Sequence, residues 1–469
     1  MANVVMTGGG LCGLLTAMLL ANDGHDVTVL ERDAMEPPDD PDEAWTGWER
    51  RGVNQFRLGH FLLPRFREVA DAELPDVVTA LDAAGALRYN FIDALPAFVT
   101  GGHRDGDERF EAVTARRPVV EAAVAAVARA TPRLTVRRGV GVEALLTGPG
   151  RLPGIPHVTG VRTAAGEDIL ADLVVDATGR RSPLPRWLTD AGARPAHEEL
   201  DDCGFVYYGR HFRSPDGSLP PPFGPPLNPF GSISALTLPC DQGTWTVVLV
   251  ASASDPAMRR LKDEQTWISV VRELPTVAHW LEGEPLDDIA VMAKIEDRYR
   301  RYVVDGSPVA TGVVPVADSW ACTNPSVGRG ISMGLMHGVL LRDTLVKEGL
   351  DDPAGFALAY DAATVERLEP LYRDTLAGDR QRLGEMAAAI EGRPPPAVGD
   401  DERTKRILTI AAAAATDPDL LRATASIGTL ITTPEEVFAD SGLMERAMAA
   451  EVQAPVPGPS RERLLELVS

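Results

Sequence analysis

The chain opens on a turn that leaves little choice of fold. Val4-Val5-Met6-Thr7 reads as a buried strand, Gly8-Gly9-Gly10-Leu11-Cys12-Gly13 follows at once, and Leu14, Leu15, Ala17, Met18 and Leu19 continue as a helix. Gly8, Gly10 and Gly13 stand in the G-x-G-x-x-G arrangement. Gly8 permits the tight turn, Gly10 lets the backbone approach a pyrophosphate, and Gly13 lets the helix pack against the sheet. The N–H groups of Leu11 and Cys12, at the helix start, can receive the anion. A second strand, Val27-Thr28-Val29-Leu30, runs into Glu31-Arg32, and the Glu31 carboxylate can take the adenosine ribose hydroxyls. Strand, turn, helix, strand and acid within one βαβ unit specify a dinucleotide site more narrowly than any glycine triplet alone.

Which dinucleotide is decided further along. Leu173-Val174-Val175-Asp176-Ala177-Thr178-Gly179 is an apolar strand running into Ala-Thr-Gly. Pro308-Val309-Ala310-Thr311-Gly312-Val313-Val314-Pro315-Val316-Ala317-Asp318 is followed by Pro325, Gly328 and Gly330 in a Pro-x-x-Gly-x-Gly pattern. With these segments the chain resembles the FAD-dependent monooxygenases related to para-hydroxybenzoate hydroxylase, in particular a bacterial branch of epoxidases and hydroxylases. The resemblance covers about residues 1–345. It implies an α/β fold: a Rossmann-like FAD-binding lobe of the glutathione-reductase type, interleaved with a β-sheet substrate lobe and followed by a helical tail. The expected divisions are 1–190 (with an insertion near 75–112), 191–300 for the substrate sheet, 301–346 for the return to the FAD lobe, and 347–469 for the tail.

The same resemblance implies roles for residues. Asp318 would hold the ribityl chain, although Ala317 stands where the family has Gly. Pro325, Gly328, Gly330 and Ile331 would form the loop and helix start beside the isoalloxazine, where backbone N–H groups stabilise negative charge on the reduced ring. Arg50, Gly52, Val53 and Gln55 reproduce an Arg-x-Gly-Val-x-Gln stretch that lies beside the flavin in the branch. Gln55 and Arg57 are expected to contact FAD, with His60 nearby as a candidate for the substrate. Arg117 opens a helix where the family has a cofactor-binding Arg, but Arg116 precedes it and the sequence does not choose between them. Asp176 and Gly179, at the end of the Ala-Thr-Gly strand, are expected to contact the cofactor, and classical aromatic hydroxylases of the family carry in this place an Asp-Gly pair linked to NAD(P)H use. Thr178-Gly179 departs from that pair, and the chain has no second G-x-G-x-x-G unit, so a separate flavin reductase is an expected partner.

Residues 205–212 resemble a Tyr-Tyr-x-Arg strand of the branch, which makes Tyr207 and Arg210 candidates for substrate contact. Two further strands, Ser232–Leu238 and Thr244–Val250, flank a hairpin signal. The proline-dense stretch from Pro215 to Pro226 reads as a rigid surface loop in preference to a lid. From residue 331 the pattern is helical: Ile331–Val346, Pro353–Ile390, Glu402–Ala415 and a last helix pair reaching Leu467, broken at Pro394–Pro396 and Pro455–Pro459. This tail shows no catalytic motif, and its expected role is packing or contact between copies.

The formal net charge of −22 repels phosphate backbones and anionic lipids, so neither nucleic acid nor a membrane surface is an expected partner. No run of apolar residues is long enough to span a bilayer. Cys12, Cys203, Cys240 and Cys322 are scattered, and the histidines lack ligand spacing, so no metal is expected and a reducing cytoplasm is. The implied activity is insertion of one oxygen atom, by epoxidation or hydroxylation, into an apolar small molecule of bacterial secondary metabolism through a flavin C4a-hydroperoxide. The alternative is an alkene-saturating reductase of the geranylgeranyl-reductase type. Trp45-Thr46-Gly47-Trp48 lacks the Trp-x-Trp-x-Ile-Pro of flavin halogenases. No catalytic residue is assigned.

Overall fold

The structure, a computed structural model, describes residues 1–50, 52–53, 55–397, 401–450 and 456–469. The N-terminal βαβ unit forms as the glycine spacing requires: β1 (Asn3–Thr7), α1 (Leu11–Asn22) and β2 (Asp26–Glu31). Helix α1 is apolar on nearly all sides because it is covered on nearly all sides, with Leu14, Leu15, Met18 and Leu19 all buried. The chain then runs through α2 (Pro64–Glu73), α3 (Arg117–Ala130), β3 (Leu134–Arg138) and β4 (Leu173–Asp176). Between α2 and α3, the insertion near 75–112 holds a helix, Pro75–Ala83, and a hairpin pairing Leu87–Asn90 with Glu111–Thr114.

A second sheet follows, built from β5 (Phe205–Arg213), β6 (Leu227–Phe230), β7 (Ile233–Pro239) and β8 (Thr244–Ser252). The chain returns through β9 (Val313–Pro315) to α4 (Gly330–Glu348) and then to the tail helices α5 (Glu369–Glu391) and α6 (Pro418–Gly428). The first sheet is parallel throughout, in the order β9-β4-β1-β2-β3. β1 is first in sequence yet lies in the middle, so the order reverses beside it. The crevice beyond the strand ends at such a reversal is where open α/β sheets take ligands.

The second sheet is antiparallel, β6-β7-β8-β5, with β5 paired to β8 over its whole length from Phe205↔Ser252 to Arg213↔Thr244. Its two faces bury different cores. Tyr207, Leu236, Leu238 and Val248 face Leu58, Phe61 and Met292, while Tyr208, Phe212 and Trp245 pack on Trp267 and on Leu464 of the last helix.

The tail differs from the expected pattern in two places. The long helix expected over Pro353–Ile390 is two, Pro353–Arg367 and α5, because Pro370 can enter a helix only in its first turn. The expected final pair is four short helices, α6, Pro434–Phe438, Ser441–Ala449 and Arg461–Leu467. Asp417, Thr433, Asp440 and Ser460 each cap one of them with a side-chain oxygen. Pro455, the start of the second expected break, lies outside the described residues. No helix among the described residues is long and apolar enough to cross a membrane.

Candidate functional site

A single cavity of about 750 Å³ runs from the glycine turn to the inner face of the second sheet. At the turn, Gly8 has φ +97°, and a Cβ there would stand 2.6 Å from the Ala177 carbonyl oxygen. At Gly13 a Cβ would stand 2.3 Å from the Gly8 carbonyl oxygen. These two glycines are required by the protein's own backbone. Gly10 differs: it lines the cavity, and a Cβ would meet nothing within 4 Å. Gly179 and Gly330 likewise line the cavity and leave open space where a Cβ would project. Three separate backbone segments therefore keep room for a ligand to lie against them.

Two helices start at this cavity. Neither α1 nor α4 has a side-chain cap on its first N–H groups or an acid in its first turn. Their N-terminal donors and partial positive charge are free for an anion. Leu11 and Cys12 on α1, and Ile331 on α4, line the cavity together with Pro325 and Gly328. Glu31 is buried beside them. Its Oε2 accepts from Gly9 N (2.9 Å) and Arg50 Nη2 (2.6 Å), and its Oε1 accepts from Asp33 N at 2.9 Å. Oε1 keeps one lone pair for a hydroxyl.

Arg50 also bonds Glu121 at 2.6 Å, and Glu121 accepts from Arg117 Nε at 2.7 Å. Arg50 and Glu121 were not singled out as a pair by sequence, since 71 residues separate them. Arg32, Gln55 and Arg117 all line the cavity. Arg116 is turned away and fully buried against Asp241 at 2.7 Å. Asp318 lines the cavity, and burial raises its carboxyl above the usual range against the pull of Arg117 and Arg180.

Three candidates are placed elsewhere. Arg57 stacks over Trp45 at 4.8 Å and donates to Trp48 O at 2.7 Å, outside the lining. Asp176 is a buried anchor for the strand end, accepting from Thr7 Oγ1 (3.1 Å), Thr178 Oγ1 (2.6 Å) and Ser182 Oγ. Arg210 bonds Asp287 O and Glu264 behind the second sheet. It is three residues from Tyr207 on one strand, and an odd separation puts two side chains on opposite faces.

The other half of the cavity is apolar, walled by Leu58, Leu236, Met292 and Ile295. His60 and Tyr207 reach it. Burial pushes the His60 imidazole down to about 3, so it is neutral, and its Nε2 has no partner. Burial pushes the Cys12 thiol up to about 12, which removes it as a nucleophile near neutral pH. The Tyr207 hydroxyl donates to Asn324 Oδ1, and Asn324 Nδ2 donates to Asp379 Oδ1 at 2.9 Å. Asn324 and Asp379 were not singled out by sequence. An Asn ahead of the Pro-x-x-Gly loop was a readable signal, whereas Asp379 sits in a helix without a motif.

Gly224, Pro225 and Pro226 also line the cavity. The proline-dense stretch is therefore not only surface, as its composition suggested, because its end is drawn in where β6 pairs with β7. The tail contributes too, through Tyr372 of α5 and one side of α6. Away from the cavity, Asp93, His103 and Asp107 bring three possible ligand atoms together, but His103 already pairs with Asp93 at 2.9 Å and Asp107 with Arg422 at 2.6 Å.

No protein-family model matches the chain. A Mycobacterium tuberculosis protein, Protein Rv3254, is 29% identical over 405 residues, 80% of each chain. Among solved structures, PqsL of Pseudomonas aeruginosa, titled a probable FAD-dependent monooxygenase, has a TM-score of 0.59 at 17% identity, covering 82% of this chain and 99% of that one. The flavin-dependent halogenase CmlS has a TM-score of 0.61 at 17% identity, covering 95% of this chain and 78% of that one.

The chain has the FAD-binding monooxygenase fold.

That fold is not one chemistry. PyrE3, a Diels-Alderase of pyrroindomycin biosynthesis, shares it with a TM-score of 0.58 at 16% identity over 92% of this chain and 81% of that one. The residues here fit an extended dinucleotide: open glycine cradles, two uncapped helix starts, Glu31 at one end and Asp318 between. Two lining residues, His60 and Trp187, also carry buried ring nitrogens without a protein partner.

Proposed function

We propose that the chain is an FAD-dependent monooxygenase that epoxidises or hydroxylates an apolar small molecule of bacterial secondary metabolism. The observation that carries this reading is the continuity of the cavity. It leads from the Gly8–Gly13 turn, past Asp318 and the Gly328–Gly330 segment, into the apolar half under β5, β7 and β8. The α1 N-terminus and Gly10 would hold the pyrophosphate, and Glu31 Oε1 a ribose hydroxyl. Asp318 would hold the ribityl chain, and the first N–H groups of α4 the carbonyl edge of the flavin ring. FAD bound there would supply the redox chemistry that activates oxygen and delivers one atom of it.

The chain's own part is positional. Leu58, Leu236, Met292 and Ile295 exclude water from the reacting centre, and water would otherwise compete with the substrate. Neutral His60 and the Tyr207–Asn324 pair offer hydrogen bonds and no fixed charge, so the pocket favours an uncharged substrate. Electrons come from a separate flavin reductase, because the single G-x-G-x-x-G unit is used for FAD.

The test is direct. Purified protein should carry one FAD, and Asp318→Ala should bind it about ten- to hundredfold more weakly through loss of a buried hydrogen bond. Once reduced, the protein should consume oxygen. Saturation of an added alkene without oxygen uptake would favour the reductase instead, and tight FAD binding by Asp318→Ala would overturn the placement of the cofactor.

A further inference from the structure

The segment that carries Asp318 leaves its sheet at a sharp bend. β9 pairs with β4 as far as Pro315, and Val316 N still donates to Asp176 O at 2.9 Å. Ala317 then turns to φ +51°, which swings its N–H out of the ladder. An N–H taken out of a ladder needs another acceptor. Here the acceptor is a side chain: His337 of α4 takes the Ala317 N–H on its Nδ1 at 3.1 Å.

His337 is held to this one arrangement. Its Nε2 lies 3.3 Å from Thr364 Oγ1, whose own proton goes to Tyr360 O at 2.8 Å. Thr364 therefore accepts, the proton sits on Nε2, and Nδ1 is left as an acceptor. The ring stacks on Tyr360 (centroids 5.2 Å apart, interplanar angle 13°) and meets Trp320 edge-on (5.1 Å, 70°). Burial pushes the imidazole down to about 3, so it stays neutral and the acceptor persists. Tyr360 closes the circuit by donating its hydroxyl to Pro315 O at 2.9 Å. The helix Pro353–Arg367 and α4 thus grip the bend at two points, Pro315 and Ala317.

The far side of the bend is fixed as well. Ser319 Oγ accepts from Gly179 N at 2.9 Å, and Ser319 O accepts from the buried Arg300 at 3.0 Å. Asp318 lies between these anchors. It lines the cavity and is only partly buried, and no described residue hydrogen-bonds its carboxylate. Arg117 and Arg180 act on it from a distance. The backbone is bonded on each side of Asp318, and the carboxylate itself stays reachable from the cavity.

We propose that His337 is a positioning residue of the cofactor site, which through the Ala317 N–H sets the angle at which the Asp318 carboxylate meets the ribityl hydroxyls of FAD. This rests on the reading of the cavity as an FAD site. An apolar side chain in the same space would leave the Ala317 N–H without an acceptor and the bend free to shift.

Two substitutions separate positioning from packing. His337→Asn puts an amide oxygen where Nδ1 stands. His337→Gln puts its amide where Nε2 stands and leaves the Ala317 N–H unpaired. Both lose the ring between Tyr360 and Trp320, so both should lower the thermal midpoint. Affinity is read as free-flavin fluorescence on serial dilution of the purified full-length protein. His337→Asn should hold FAD within about twofold of wild type, and His337→Gln about three- to tenfold more weakly, the loss expected for one hydrogen bond. In an Asp318→Ala background the His337→Gln loss should fall below about twofold, because the carboxylate it places is gone. A role in packing alone would weaken both variants alike and would persist without Asp318. Should His337→Gln not fold, Thr364→Val takes its place. It keeps the ring, removes the acceptor that holds the proton on Nε2, and should weaken FAD about two- to fivefold only where Asp318 is present. The assignment is overturned if the two His337 variants bind FAD equally, if Thr364→Val in that role loses nothing, or if the loss is the same with and without Asp318. Such a result leaves the FAD site standing wherever Asp318→Ala alone weakens binding, whereas wild type without flavin would refute both.

Discussion

Gly10 and Gly13 belong to one motif and answer to different physics. A side chain at Gly13 collides with the Gly8 carbonyl inside the protein, whereas one at Gly10 enters space that only a ligand would use. Gly13→Val should therefore fail to fold or be insoluble. Gly10→Val should be soluble, unfold near the wild-type temperature and hold no FAD. Thermal unfolding together with flavin content separates the two, and a flavinated Gly10→Val protein would show that the cofactor lies elsewhere. Ala317 offers a second test at this scale. It stands where the resembled family has Gly and adopts φ +51°, where a Cβ costs about 1–2 kcal/mol. Ala317→Gly should raise stability by about 0.5–1 kcal/mol, the cost of the Cβ less the extra chain entropy of Gly, measured by urea unfolding.

At the scale of elements, the segment leading into α4 is tied to α5 and to the second sheet through one amide. Asn324 accepts from Tyr207 of β5, donates to Asp379 of α5, and gives its backbone N–H to Asp297 at 2.9 Å. Burial pushes the Asp379 carboxyl up to about 7 and the Asp297 carboxyl up to about 6. The Asn324 amide and Arg329 pull Asp379 down, and Asp297 pushes it further up. A raised carboxyl keeps its proton in the folded chain after the unfolded chain has lost it. Folded stability therefore falls as pH climbs from about 4 through about 7, and levels off above. Asp379→Asn keeps an acceptor for Asn324 and cannot ionise. It should flatten that fall and gain on the order of 1–3 kcal/mol at about pH 8 over wild type, with little difference at about pH 4. Thermal midpoints across this range are the measurement, and parallel curves for the two proteins would refute the assignment.

On the scale of the whole molecule, the cavity belongs to no single segment. Its lining is drawn from the N-terminal turn, the insertion, the second sheet, the return through β9 and α4, and the tail. The tail therefore shapes the site, beyond the packing role its lack of motifs suggested. The strongly acidic surface and the single dinucleotide fingerprint bear on electron supply. Anaerobic mixing with NADH or NADPH should bleach the flavin slowly or not at all, and an added flavin reductase should restore rapid bleaching. Rapid bleaching by either nucleotide alone would refute a two-component system.

The fingerprint, the acid that ends β2 and the small residues around Asp318 and Gly330 were legible from sequence because they are local. Each works through backbone geometry within a few residues, and so it leaves a spacing in the chain. The same is true of β1, α1 and β2, whose pattern and structure agree. The pairing of Arg50 with Glu121, the burial of Arg116 against Asp241, and the contact of Asn324 with Asp379 join residues far apart in the chain. Their spacing carries no signal, and packing alone chose the partners. Arg210 marks the boundary between the two cases: strand period two already separated it from Tyr207, but only the paired sheet showed which face met the cavity. For α6, the sequence determined a helix with apolar residues on two sides, and the tertiary structure decided that Leu420, Ala423 and Ile427 pack within the tail while Leu421 and Ala425 line the cavity, because a helix records in sequence which side is apolar and never what covers it.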